Sequence, residues 1–115
     1  MNQLRVYHNP RCSKSRQALQ YLDAKGLTYE VRKYLDEPLT KSEIKTLLQK
    51  IGITGDGLLR KGEKFYKENL KGKKWSEDEI IDFMIEEPKL IERPIIELSE
   101  NAVIGRPTEA IDKLL

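Results

Sequence analysis

The chain has 115 residues, 38% hydrophobic and 35% charged, with 21 lysines and arginines against 19 aspartates and glutamates for a net charge of +2. That length fits one compact domain over residues 1–115 with a core of its own, which excludes a disordered chain. The single cysteine excludes an internal disulfide and every multi-cysteine zinc or iron–sulfur site.

A reduced, cytoplasmic protein is therefore expected. The charge balance itself says little about partners. Nucleic-acid binders, however, concentrate basic residues in a stripe, whereas the Lys-rich stretches 60–64 and 71–74 alternate with acids and read as solvated surface, so no nucleic-acid partner is expected. Apolar runs such as Ala102-Val103-Ile104 are far too short to span a bilayer, so no membrane partner is expected. Met1-Asn2-Gln3 leads straight into a strand-like segment, unlike a signal peptide.

Residues 4–7 are β-prone and stop at Asn9-Pro10, a turn signal. Residues 13–25 carry Ala18, Leu19 and Leu22 on one helical face, with Gly26 placed to end the helix. Residues 29–34 alternate as a second strand, and the crossover between the two is long enough for them to run parallel. Thr40 and Glu43 have capping-box spacing, which starts a helix near Lys41 bearing Ile44, Leu47, Leu48 and Ile51 and ending at Gly52. Leu58-Leu59 begin a further short helix, weakened by Gly55 and Gly57. Ser76 and Glu79 repeat the capping spacing ahead of Ile80, Ile81, Phe83 and Met84, with Pro88 beyond the end. Residues 95–98 and 102–104 form a hairpin, and Thr108 caps a last helix over 109–114. The order predicts an α/β, thioredoxin-like fold with a mixed four-stranded sheet and a helical insert.

The most informative residue is Cys12, in His8-Asn9-Pro10-Arg11-Cys12-Ser13-Lys14-Ser15-Arg16 between the first strand and the first helix. A thiol at a helix N-terminus faces unpaired N–H groups and the positive end of the dipole, both of which favour thiolate. Arg11, Lys14 and Arg16 add positive charge, and His8 is placed to stabilise the thiolate or a network around it. A lone cysteine is more often a buried structural one, but these polar, basic flanks point to a reactive thiol. Ser15 stands where a dithiol oxidoreductase has its second cysteine. A tyrosine-phosphatase loop needs arginine where Ala18 stands, and a cysteine protease needs a histidine base with an orienting partner, whereas the one histidine is His8 in the same loop. Arg60, Arg93 before Pro94, and Arg106 before Pro107 each read alone as surface residues; gathered round a thiolate, planar guanidinium groups suit a tetrahedral oxyanion. An X-Pro bond just before a strand is also where a cis proline can shape a pocket.

With these residues in view, the chain resembles the glutaredoxin-coupled arsenate reductase family. Tyr7-His8-Asn9-Pro10 with Cys12, Ser15 and Arg16 matches the family's signature loop. Leu58-Leu59-Arg60-Lys61, Ile81-Asp82-Phe83-Met84, Arg93-Pro94-Ile95, and Arg106-Pro107 with Glu109 match further segments in order. The resemblance implies that Cys12 attacks arsenate and that Arg60, Arg93 and Arg106 bind the oxyanion. It also implies that His8 helps keep Cys12 ionised, with Ser15 and Arg16 in support and Pro94 as a cis proline. Glutathione is then a co-substrate, no cofactor is bound, and glutaredoxin or a similar thiol donor completes reduction to arsenite. A monomer leaves Cys12 open to such a donor. Arg11, Ser13 and Lys14 replace the small residues of several members, making this loop bulkier and more basic. Two alternatives stand beside arsenate reduction. One is a glutathione-dependent thiol reductase of another substrate; the other is a regulator binding RNA polymerase, against which Ser15 argues.

Overall fold

A computed structural model describes residues 3–115, so the reading of Met1-Asn2 lies outside the described residues. The chain forms two compact units, one from the N-terminal segment up to Glu37 together with Arg93–Leu115, the other Pro38–Glu92.

The first unit carries the sheet. Its strands are β1 (Leu4–Tyr7), β2 (Tyr29–Arg32), β3 (Ile95–Leu98) and β4 (Asn101–Ile104), in the order β2-β1-β3-β4. Helix α1 (Ser13–Ala24) links β1 to β2, which pair in parallel, while β1 with β3 and β3 with β4 are antiparallel. The alternation of β1 sends Leu4 and Val6 to one face, where they pack with Ala18 and Leu22 of α1, Ile96 of β3, and Ile111. A register slip of one residue would put Arg5 into that core, so the apolar pattern fixes the pairing. Tyr7 is also buried, and its hydroxyl donates to Glu97 Oε1 at 2.8 Å. Burial, with the Glu97 carboxylate against the opposing pull of Arg5, pushes the Tyr7 phenol up to about 12. It stays a neutral donor that ties β1 to β3 at the point where the strand opens into a loop.

Strand β2 stops at Arg32 rather than residue 34. Its one sheet neighbour among the described residues, β1, ends at Tyr7 opposite Arg32, and the chain then turns as the N–H groups of Asp36 and Glu37 donate to Lys33 O. The last segment, Thr108–Leu114, is a 3-10 helix, not an α-helix capped by Thr108. Pro107 holds the cap position and its carbonyl accepts the Ala110 N–H, which leaves Thr108 inside the first turn.

The second unit is helical. In α2 (Lys41–Ile51) the Thr40 hydroxyl accepts the Glu43 N–H at 3.1 Å while the Glu43 carboxylate accepts the Thr40 N–H at 3.0 Å. Ser76 and Glu79 repeat this at the start of the next long helix, Glu77–Glu86. Ile44, Leu47, Leu48, Ile81 and Met84 are buried. Between the two long helices lies α3 (Gly55–Leu58), so Glu77–Glu86 is α4. Helix α3 starts three residues before the expected Leu58-Leu59 because Gly55, far from weakening it, anchors it. The Gly55 N–H donates to both Glu77 carboxylate oxygens, at 3.0 and 2.9 Å, and a Cβ there would sit 3.0 Å from Ile80. A π-helical turn, Tyr66–Leu70, and a 3-10 turn, Pro88–Leu90, were not anticipated. The π-helical turn is held from outside, where Trp75 Nε1 donates to Leu70 O at 3.1 Å and its ring meets Phe83 edge-on. No helix among the described residues is long and apolar enough to cross a membrane.

Candidate active site

The loop after β1 is organised by Asn9, whose role the sequence reading missed. Asn9 is buried. Its carbonyl accepts the Cys12 N–H at 3.0 Å, closing a turn with Pro10 at the second position. Its side-chain Oδ1 accepts the Arg11 N–H at 3.0 Å, and its own N–H donates to Ser15 Oγ at 3.0 Å. The Asn-Pro pair signals a turn, but not that one asparagine would use three groups to shape it. Arg16 braces the same turn through a hydrogen bond from its guanidinium to Pro10 O at 2.8 Å.

This turn delivers Cys12 to the N-cap of α1 with an extended backbone, φ −94° and ψ 122°. The half-buried thiol makes no tight capping bond, yet the opening N–H groups of the helix face it. Burial pushes the thiol pKa up. The Ser15 N–H, the Arg93 side chain, the Lys14 N–H and the Arg93 charge together outweigh this and hold it below the ordinary value. Alkylation by iodoacetamide, followed against pH, should have its midpoint below the ~8.5 of a free thiol. A midpoint at or above that value would contradict the electropositive setting.

His8 lies behind the thiol. It is buried, and its Nδ1 is 2.8 Å from Ser15 Oγ. Burial lowers its pKa, and the charges of Lys33 and Arg16 lower it further. A neutral imidazole contributes little charge to the thiolate, so His8 acts through hydrogen bonds. With Nε2 protonated, Nδ1 accepts from the Ser15 hydroxyl, whose oxygen already accepts the Asn9 N–H. Ser15 is fully buried and thereby fastens the loop to α1.

Arg93 reaches the thiol from the other end of the unit, directly ahead of β3. The Arg93-Pro94 bond is cis, as is Arg106-Pro107. Gly105, a second residue missed in the sequence, packs against this corner. Its N–H donates to Pro94 O at 2.8 Å, and a Cβ there would lie 2.6 Å from Ile96 Cδ1 and 3.2 Å from Pro94 Cγ. Its lack of a side chain lets the end of β4 close on Pro94 and fix where Arg93 begins. Arg106 follows Gly105 and is half-buried in the same unit.

Arg60 belongs to the second unit. There its guanidinium lies 3.6 Å from Glu63 and 3.7 Å from Glu92. The structure thus gathers His8, Ser15, Arg16 and Arg93 around Cys12 within the first unit. No three His, Cys, Asp or Glu side chains group as metal ligands would among the described residues. A thiolate beside a guanidinium and two peptide N–H groups can attack an electrophilic centre whose oxygens carry negative charge.

Known proteins share this architecture. The ArsC family model matches residues 7–114. An arsenate reductase of Neisseria meningitidis is 39% identical over 100% of both chains. An uncharacterized protein of Escherichia coli, YfgD, is 42% identical over 95% of this chain and 93% of its own length. The solved structure of an arsenate reductase from Vibrio cholerae superposes with a TM-score of 0.93 at 40% identity, covering 98% of each chain. On the match of sequence and fold over nearly its whole length, the chain belongs to the ArsC family.

Proposed function

We propose that the protein reduces arsenate to arsenite, with Cys12 as nucleophile and external thiols as reductant. The observation that carries this reading is the Arg93 guanidinium on a half-buried thiol at a helix N-terminus, with a pKa below the ordinary value. Neutral disulfides need no such cation, whereas arsenate carries negative charge on tetrahedral oxygens that a guanidinium fork matches. Relatives named arsenate reductase supply the choice of oxyanion.

In this scheme the Cys12 thiolate attacks As(V), an S–As bond forms, and one oxygen takes a proton and leaves as water. Arg93 neutralises the remaining oxygens; Arg60 and Arg106 are the further oxyanion ligands that the resemblance implies. Glutathione then displaces a second oxygen as water and forms its own S–As bond. A glutaredoxin-type thiolate attacks the glutathione sulfur, a mixed disulfide forms, and the electron pair of the broken S–As bond stays on arsenic as As(III). Water cleaves the last S–As bond, releasing arsenite and the Cys12 thiol. The single cysteine requires this outside supply, because no second thiol in the chain can resolve the adduct. The thiols are co-substrates, and no step uses a resident cofactor.

Arsenate-dependent NADPH oxidation, coupled through glutathione, glutaredoxin and glutathione reductase, tests the reading. Turnover should require arsenate and both thiols. Absence of turnover there, and with thioredoxin as donor, would overturn arsenate reduction.

A further inference from the structure

Residues 8–16 contain no acidic side chain, and Arg11, Lys14 and Arg16 are all exposed there around the half-buried thiol. Lys33, just beyond the end of β2, is exposed as well and acts on His8 together with Arg16. Among the described residues none of these four cations has a carboxylate partner; Arg16 bonds only a neutral carbonyl. Several other surface lysines do have a carboxylate partner. Lys25 has Asp112 at 3.6 Å, Lys45 has Asp78 at 3.6 Å, and Lys61 has Asp56 at 3.0 Å. Arg11, Lys14 and Arg16 on the Cys12 loop and helix start, with Lys33 acting on His8 from the end of β2, therefore bring four cations together with no carboxylate in ion-pair range among the described residues.

We propose that Arg11, Lys14, Arg16 and Lys33 form a docking rim for a thiol-donor protein whose reactive cysteine is flanked by acidic residues. The inference rests on reading Cys12 as a thiol that must meet an outside thiol. A small anion is held by converging, half-buried donors, which is the part Arg93 plays. Exposed charges spread over three elements instead act at encounter on a broad surface of opposite charge, and each further carboxylate on that surface adds to the steering. The rim selects which donor arrives without touching the reacting atoms.

Thiol–disulfide exchange without arsenate tests this. The probes are a short cysteine peptide activated as its 2-pyridyl disulfide, in acid-flanked and base-flanked versions, with 2,2′-dithiodipyridine as neutral reference. In each peptide reaction the Cys12 thiolate attacks the peptide sulfur, one S–S bond forms, one breaks, and pyridine-2-thione leaves with the electron pair. Dividing by the neutral-probe rate of the same protein cancels changes in thiolate fraction. At low ionic strength the acid-flanked peptide should react about tenfold faster than the base-flanked one, and the ratio should approach one as salt screens the rim. Arg11→Glu with Lys14→Glu and Lys33→Glu should bring the ratio to one or below. The salt titration on the unaltered protein carries the same test independently of any variant's folding. A ratio near one at low salt, or one insensitive to the substitutions, overturns the proposal. So does oxidised glutathione responding to the substitutions as strongly as the acid-flanked peptide, which would make the rim a small-thiol site. Failure of arsenate reduction would show in the coupled assay and leave this ratio untouched.

Discussion

Cys12→Ser should abolish arsenate-dependent NADPH oxidation while leaving the fold at least as stable as before. The loss follows from chemistry: a serine hydroxyl is not ionised near neutral pH and cannot enter the exchange that returns electrons from outside thiols. Stability should hold because Cys12 occupies an N-cap without a tight capping bond. Serine is a preferred N-cap residue, and a new bond to an opening N–H group would add up to about 1 kcal/mol. The pH dependence separates the two proteins further. The folded-state thiol pKa of Cys12 is depressed. Its thiolate therefore contributes stability that is complete above the unfolded thiol value and is lost as pH falls through the folded value. The serine variant lacks that contribution, so its advantage in melting temperature should shrink as pH rises through this window. Thermal melts of both proteins across the thiol range measure it; residual turnover in the variant would remove Cys12 from its role.

The parts of this molecule legible in the sequence are those set by neighbours along the chain. The capping boxes at Thr40 and Ser76 are three-residue patterns, and both appear in the structure with reciprocal bonds. The thiol at the head of α1 is equally local, because a strand, an Asn-Pro turn and a helical period leave Cys12 one place to be. What escaped was set by partners far along the chain. Gly55 looked like a helix weakener until Glu77, 22 residues on, supplied its hydrogen bonds. Gly105 is unremarkable as a letter and is explained only by Ile96 and Pro94 filling the space a Cβ would need. His8 near a cysteine suggests a charge partner; burial, which no local pattern reports, turns it toward the neutral form and onto Ser15. Of the three arginines singled out, residue type alone could not say that Arg93 meets the sulfur. The sheet decides that, since antiparallel β3 beside β1 brings the start of one strand to the end of the other, with Ile95 opposite Tyr7.

Arg93→Ala should cost about 10²–10³-fold in kcat/KM for arsenate, the range seen when one donor to a developing oxyanion is removed. Two losses combine in that figure, and pH separates them. Arg93 favours the Cys12 thiolate both by hydrogen bonding and by charge, so its removal should raise the thiol pKa and leave less nucleophile at neutral pH. Working above the raised pKa restores the thiolate and recovers that share of the rate. The share owed to oxyanion neutralisation does not return, because the arsenate oxygens still lack their cation. Arg93→Lys keeps a charge but loses the planar fork, so it should restore more of the thiol pKa than of the arsenate kinetics. The measurements are alkylation midpoints and kcat/KM–pH profiles for the three proteins. Complete recovery of Arg93→Ala at high pH would confine Arg93 to activating the thiol. An unchanged alkylation midpoint would mean that Arg93 does not act on the sulfur at all, and that the helix N-terminus alone holds the thiolate.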